Sequence, residues 1–299
     1  MFPSSFSSAP ALEVRSVNTG VEGEAFAPFT NTPWQVPYDY GTVFYCTGGR
    51  AEAQIGLHHH MLGVELTPGI VRTRHNSARW SSEIMVSGAL YFVAAGSTID
   101  VRKEHPIDFI LATIDPESAD RIFREAGVSG GVPSFAVNLV DPIVDRQARQ
   151  LRQMFLRRDR DVSLFASGFV QRAVSRVMRY DHARHRSGRY QLAPHQIRSA
   201  LEFINENLSS SLSIETLAQE STGLSGFYFA HAFTAMLGHS PHQYILERRL
   251  SRAHELIAST TSSLAEISYS VGFSSQAHMT STFGRRLGIT PGRLRQPFA

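Results

Sequence analysis

The sequence predicts an α+β chain: a β-rich N-terminal half built as a barrel or sandwich, a helical middle, and an all-α C-terminal domain of two helix-turn-helix units joined by a long helix. Three observations predict it. Between Trp34 and Ile114 short apolar runs alternate with turn residues and no helical period intervenes. From Asp115 onward apolar residues recur at intervals of three and four. The last third repeats itself: Leu217, Phe229, Phe233, Gly238, Pro241 and Tyr244 return as Ile267, Met279, Phe283, Gly288, Pro291 and Leu294. A duplicated supersecondary unit produces that pattern.

A chain of 299 residues, 42% of them hydrophobic, has enough apolar material for two ordinary cores. No apolar run approaches the roughly 18 residues of a membrane span. The stretch Met1-Phe2-Pro3-Ser4-Ser5 has no basic segment followed by an apolar one. A cytoplasmic protein without a membrane partner is therefore expected. The lone Cys46 permits no internal disulfide and no cysteine-based zinc cluster, and is expected to be a small buried hydrophobe. Net charge is +3, unevenly spread: residues 146–189 carry 12 Arg against 3 Asp, whereas residues 190–299 carry 8 Arg against 7 Glu. Every basic residue except Lys103 is arginine. That suits phosphate contact and equally suits a biased genome.

In chain order, residues 1–33 are rich in Ser, Pro and Asn and read as a flexible end followed by a lead-in strand. The best strand candidates are Tyr40 to Cys46, Ala53 to Leu57, Met61 to Leu66, Glu83 to Val86, Leu90 to Val93 and Asp108 to Ile114. Thr67-Pro68-Gly69, Ser87-Gly88 and Ala95-Gly96 punctuate them. Asp115-Pro116 opens a helix through Ala119, Ile122, Phe123 and Ala126 that Gly127 ends, and a short strand from Phe135 to Leu139 follows. Asp141-Pro142 starts a second helix with Val144, Ala148, Leu151 and Phe155 on one stripe. A third runs from Val162 to about Tyr180 with Phe165, Phe169, Ala173 and Val177 aligned. The polar, unpatterned residues 181–193 read as an interdomain linker. Pro194 then begins a helix with Ile197, Leu201, Ile204 and Leu208 facing inward. The expected division is 1–140 for the β-rich domain, 141–180 for a helical hairpin, 181–193 for the linker and 194–299 for the C-terminal domain.

Each C-terminal repeat has the grammar of helix, tight turn, helix. Ser213 can cap a short helix carrying Leu217 and Ala218, Gly223 breaks it, and Ser225 can cap the next, whose Phe229, Phe233 and Leu237 share one face. In the second copy Ser263 and Glu266 form a capping box, Gly272 makes the turn, and Met279, Phe283 and Leu287 repeat the stripe. Ser240-Pro241 opens the connecting helix, with Leu246, Leu250, Ala253 and Ile257 on one side. A generic helical bundle would share this periodicity. The outer faces argue for a DNA reader. They offer Phe227, Tyr228, Ala230, His231 and Thr234 on one helix and Ser275, Gln276, Ala277, His278, Thr280 and Ser281 on the other. Gln pairs bidentately with adenine, Ser and Thr bond several bases, and Ala or Phe can touch a thymine methyl. Such side chains suit a helix in a major groove.

The residues Leu217-Ala218, Gly223-Leu224-Ser225, Phe229, Phe233, Gly238 to Tyr244, Arg249-Leu250, Ala253, Gly272-Phe273, Gln276, His278, Phe283-Gly284-Arg285 and Gly288 to Pro291 resemble the DNA-binding domain of the AraC/XylS family of bacterial transcription regulators. The resemblance covers about the last hundred residues. It implies two helix-turn-helix units in successive major grooves of double-stranded DNA. Carried onto this chain, it implies that Ser225, Phe227, Tyr228, Ala230, His231 and Thr234 meet one groove. Ser275, Gln276, Ala277, Thr280 and Ser281 would meet the next, with Arg285 and Arg286 on phosphates. His231 and Ser281 stand where the family usually has Arg, and Gly226 where it usually has Pro. Base preference at those positions is accordingly this chain's own.

Gly88 to Gly96 also resembles the cupin-type sensor domain found ahead of many such DNA readers. That implies a β-barrel holding a small-molecule effector, for which Trp34, Tyr45, His58, His60, Trp80 and Tyr91 are the candidate lining residues. His58 and His60, two apart on a strand, with Glu65 echo a metal-binding cupin, but Ile99 and Asp100 stand where a third histidine belongs. No metal and no cofactor is expected. The helical hairpin of such regulators often mediates dimerisation, so a homodimer is expected, with RNA polymerase as a further partner of an activator.

Enzyme motifs are missing: there is no phosphate-cradling Gly-rich loop with Lys, no Gly-x-Ser-x-Gly elbow and no His-Glu-x-x-His. The reading is a transcription regulator, activating rather than repressing, controlled by an effector. A ligand-independent regulator of the same family is the alternative, ahead of a metal-dependent cupin enzyme fused to a DNA reader.

Overall fold

Alternating apolar and polar side chains sort the N-terminal strands into two antiparallel sheets. The computed structural model of the chain describes residues 12–16, 34–48, 51–103, 107–125, 135–178 and 191–296. One sheet has five strands: β1 (Leu12–Ser16), β4 (Ala51–Leu57), β9 (Thr98–Lys103), β6 (Gly69–His75) and β7 (Ser81–Met85), in that spatial order. The other has six, in the order β11 (Phe135–Val140), β8 (Ala89–Val93), β5 (His60–Glu65), β10 (Ile107–Ile114), β3 (Gly41–Gly48), β2 (Trp34–Tyr38). From β3 to β6 and from β7 to β10 the chain changes sheet at every turn, so most sequence neighbours are not hydrogen-bonded to each other. The strands therefore form two open sheets among the described residues, the sandwich of the two expected forms and not the cupin-like barrel.

Phe109 and Leu111 of β10 join Phe44, Ile55, Val71 and Val93 between the sheets, while Ile110, Ala112 and Ile114 face the other way. That second face is covered by helices α1 (Pro116–Glu125), α2 (Pro142–Arg157) and α3 (Val162–Met178). The central strand β5 is thus buried on both faces from Met61 to Glu65. Cys46 is fully buried, and burial pushes its thiol up to about 12. Strands β2, β6 and β9 were absent from the sequence candidates. Pro37 lies within β2, an edge strand that runs on through it, and Lys103 occupies an inward position on β9 alongside Ile99 and Val101. Gly127 and most of the expected linker lie outside the described residues.

The C-terminal helices follow the sequence closely: α4 (Pro194–Glu206), α5 (Ile214–Thr222), α6 (Gly226–Leu237), α7 (Pro241–Ser259), α8 (Leu264–Ser270), α9 (Gln276–Leu287) and α10 (Pro291–Leu294). Ser213, Ser225, Ser240, Ser263 and Ser275 cap the N-termini they precede. Gly223, Gly238 and Gly288 end α5, α6 and α9 in the left-handed conformation. Phe229, Phe233 and Leu237 pack on Ile197, Leu201, Leu217 and Tyr244. The core of the second unit, around Ile267, Met279 and Phe283, is continuous with that of α2 and α3 through Leu250, Ala253 and Ile257 of α7. The C-terminal domain is therefore docked on the N-terminal one, which the sequence did not announce.

Candidate nucleic-acid interface

A reading helix must bury one face and leave the other free, and α6 and α9 both do. On α6, Phe229, Ala232, Phe233 and Leu237 are buried, while Phe227 is 68% exposed and His231 and Thr234 are exposed with it. The Phe227 and His231 rings lie 4.2 Å apart, and His231 Nδ1 is 2.8 Å from the Phe227 carbonyl oxygen. They form a semi-rigid apolar and polar edge. Thr234 donates its hydroxyl to Ala230 at 2.6 Å, leaving oxygen lone pairs to accept from a base. Ala230 is half-buried beside them.

Tyr228 points elsewhere. Its hydroxyl donates to the Gln191 carbonyl at 3.2 Å, fastening the lead-in of α4 to α6. Ser225 is occupied as the cap of α6 and accepts from Tyr228 N.

On α9 the buried set is Met279, Thr282, Phe283 and Leu287. Gln276, Ala277, His278, Ser281 and Arg285 are exposed, and Thr280 is half-buried between them. Ser275, read from the sequence as part of the helix face, is its N-cap and accepts from His278 N. His278 leans on Phe273, with ring centroids 5.3 Å apart, and its Nδ1 is 3.0 Å from Ser274 Oγ. Gln276 is exposed and heads the first turn of the helix, where backbone N–H groups also face outward.

The two arginines separate. Arg285 is exposed, whereas Arg286 is half-buried with Nη1 3.7 Å from Glu247 Oε1. The second leans on α7 of its own domain, with 39% of its side chain still exposed.

The two units are tied together inside the C-terminal domain by α7. Arg248 is buried and donates to Asn205 Oδ1 at 2.8 Å. Arg249 donates to the carbonyls of Leu208 and Ser210 at 2.9 and 2.8 Å while lying against Gly272. A side chain at Gly272 would place Cβ 2.2 Å from the Leu208 carbonyl oxygen, and φ there is +89°. Glycine is the residue that turn accepts.

The six candidate effector residues do not gather at one place. Trp34 and Tyr45 meet edge to face with centroids 5.6 Å apart, and both approach His254 of α7, so they lie at the domain junction. His60 packs between Phe92 and Phe123 on the helix-covered face, and its Nδ1 accepts from Ala95 N at 3.2 Å. Trp80 is stacked by the guanidinium groups of Arg72, Arg74 and Arg102. Tyr91 enters the space between the sheets and covers Gly63. His58 is exposed in the turn before β5 and shares no strand with His60, which corrects the one-face argument for the pair. Among the described residues no cluster of three or more His, Cys, Asp or Glu is placed to hold a metal. No helix among them is long and apolar enough to cross a membrane.

Sequence reasoning missed a polar pair between the sheets. Glu65 and Lys103 are both buried there; burial raises the Glu65 carboxyl to about 7 and lowers the Lys103 ammonium to about 8. Glu65 Oε2 has no hydrogen-bond partner among the described residues. A charged residue inside an otherwise apolar strand was the available signal.

Residues 217–297 match a family model described as a helix-turn-helix domain. The chain is 34% identical over 94 residues to a virulence regulon transcriptional activator, VirF, of Yersinia enterocolitica, covering 31% of this chain and 34% of that protein. It is 30% identical over 99 residues to the multiple antibiotic resistance protein MarA of Salmonella typhimurium, covering 33% of this chain and 77% of MarA. A solved transcriptional regulator with an AraC-type DNA-binding domain, from Chromobacterium violaceum, shares 33% identity over 33% of this chain and 88% of that one, with a TM-score of 0.32. Among the full-length relatives the shared stretch spans only a quarter to a third of their length. With the duplicated units, their caps and their exposed helix faces, the match over residues 217–297 and the similarity to VirF and MarA make the chain a member of the AraC/XylS family of transcription regulators.

Proposed function

We propose that the chain is a sequence-specific regulator that reads double-stranded DNA with α6 and α9 in successive major grooves. One observation carries this reading: each unit buries one face of its second helix completely and presents on the other a compact set of side chains able to contact bases. Phe227, Ala230, His231 and Thr234 serve the first groove, and Gln276, Ala277, Thr280 and Ser281 the second. Arg285 and the N–H groups at the helix starts hold phosphates. Neither face presents an arginine to guanine, so apolar contact, Gln to adenine and phosphate contacts carry the affinity.

The N-terminal two-sheet domain is assigned a cupin-like sensing role. In favour of a polar effector are Glu65 and Lys103 buried between the sheets, with Glu65 Oε2 lacking a hydrogen-bond partner among the described residues. A ligand acts there only by binding two arrangements of the protein unequally. Activation through RNA polymerase is the assigned outcome, in keeping with VirF being a transcriptional activator. A second copy of the chain is the assigned partner of the hairpin α2–α3, where Leu164 is 77% exposed and Ile143 is 49% exposed.

The test is selection from a random-sequence duplex library with wild type, Phe227→Ala and Gln276→Ala. Two enriched motifs about 10 base pairs apart are expected, one weakened by each variant. Equal loss at both motifs from either change would sink the two-groove reading.

A further inference from the structure

The carbonyl groups that end the two reading helices are both satisfied from outside their own domain. Leu237 O, at the end of α6, accepts from Ser87 N at 3.2 Å. Arg286 O, near the end of α9, accepts from Arg152 Nη2 and Gln153 Nε2, each at 3.4 Å. Gly288 O accepts from Arg157 Nε at 2.8 Å, and the same guanidinium lies so close over Gly288 that a Cβ there would fall 2.5 Å from Nη2. Helix C-termini carry partial negative charge, so arginine donors at these carbonyls are favourably placed.

All of these donors trace back to α2. Arg149 fixes the turn that carries Ser87, donating from Nη2 to Ser87 Oγ at 2.5 Å and to Leu66 O at 3.3 Å, while its Nε bonds Asp145. Arg152 is held from behind by Asp108 of β10 at 2.8 Å and faces Glu247 of α7 at 3.8 Å. Arg149, Arg152, Gln153 and Arg157 thus form one row along a single helix, and its two ends meet different helix-turn-helix units.

We propose that α2 is a bracket that sets the placement of α9 relative to α6, with Arg152 and Arg157 as positioning residues for DNA recognition. This rests on the two-groove reading above. Two helices read two grooves only at the spacing at which they are held, so a bracket across their ends converts the position of α2 into a spacing requirement on DNA. α7, with Arg248 and Arg249, joins the units from within; α2 restrains them from without.

The experiment uses the full chain and the duplex that wild type selects from the random library. Binding is measured to that duplex, to versions with one or two base pairs inserted between the two motifs, and to a duplex with the α9 motif scrambled. Wild type is expected to lose at least tenfold in affinity on insertion. Arg157→Ala, which removes a partly exposed side chain and leaves the core intact, is expected to cut that penalty at least threefold while binding to the single-motif duplex stays unchanged. Arg157→Lys should restore part of the penalty. Arg152→Met should behave as Arg157→Ala does, and should it fail to fold, Arg157 alone decides. An unchanged insertion penalty in Arg157→Ala, with wild type selecting both motifs, overturns the bracket and spares the two-groove reading. A wild type that selects no sequence overturns both.

Discussion

Arg152 of α2 and Asp108 of β10 form an ion pair of 2.8 Å with both side chains under a tenth exposed. The carboxylates of Asp108 and Glu247 hold the guanidinium pKa above its already high value despite burial. Asp108 is also engaged by the Thr67 hydroxyl at 3.4 Å, and Glu247 lies 3.7 Å from Arg286. One buried arginine therefore joins the β sandwich, the connecting helix and the second reading helix.

Removing it strands two carboxylates in the core. Arg152→Met is expected to destabilise the chain by about 3–5 kcal/mol, the usual consequence of leaving a buried charge uncompensated. Asp108→Asn with Arg152→Met should recover part of that loss. Urea denaturation of the two variants checks it, and equal midpoints for wild type and Arg152→Met would show that the pair contributes nothing.

His254 of α7 faces the same junction. Burial lowers its pKa to about 4; Asp108 on β10 and Glu255 on its own helix oppose the shift, and Arg152 on α2 reinforces it. Thr47, Trp34 and Tyr45 complete its surroundings. Below about pH 6.5 an unfolded chain takes up this proton and the folded one does not until about pH 4. Stability is therefore lost as pH falls across that window. His239, also lowered to about 4 by burial, acts in the same sense, and Glu65, raised to about 7, acts in the opposite one. The comparison that isolates His254 is wild type against His254→Phe. The variant's unfolding midpoint should fall less steeply between pH 6.5 and 4, and parallel profiles would remove His254 from the account.

The C-terminal half was legible because its information is local. Ser213, Ser225, Ser240 and Ser263 cap the helices their spacing assigned them, and Gly223 and Gly272 turn where the apolar stripe breaks. The exposed faces of α6 and α9 follow from the same period. Tyr228 and Arg286 were not separable from their neighbours by period alone, because what redirects them is Gln191 and Glu247, far away in sequence. The docking of the domains was hidden for the same reason. Arg152 adjoins Leu151 on an apolar stripe and looks like a surface charge until Asp108 and Glu247 are brought to it. Strand β9 escaped because Lys103 takes an inward place that alternation reserves for an apolar residue.

Gly272 and Gly223 both have positive φ, at +89° and +70°, yet differ in surroundings. Space around Gly223 is open, so Gly223→Ala should show only the left-handed backbone cost of about 1–2 kcal/mol. At Gly272 the added methyl meets the Leu208 carbonyl and the Arg249 guanidinium. Gly272→Ala is therefore expected to lose more stability than Gly223→Ala and to disturb the junction between the two units. Thermal unfolding of the pair checks it; equal losses would mean that the close approach relaxes freely.

Arg285 and Arg286 are adjacent in sequence and are expected to differ in salt dependence. Each phosphate neutralised by an arginine adds about 0.9 to the slope of log affinity against log salt concentration. Arg285 is exposed beside the reading face, so Arg285→Ala should weaken binding to all duplexes alike and reduce the slope by about 1. Arg286 is turned back onto Glu247, with 3.7 Å between the charged atoms, so Arg286→Ala should leave the slope nearly as it was. Gln276→Ala provides the contrast in kind: loss of a bidentate base contact should cost about 1–3 kcal/mol at one motif and leave the salt slope unaltered. Titrations at three salt concentrations on the selected duplex separate the three. A slope reduced equally by Arg285→Ala and Arg286→Ala would mean that Arg286 leaves Glu247 when DNA binds, releasing the second reading helix from one of its contacts with α7.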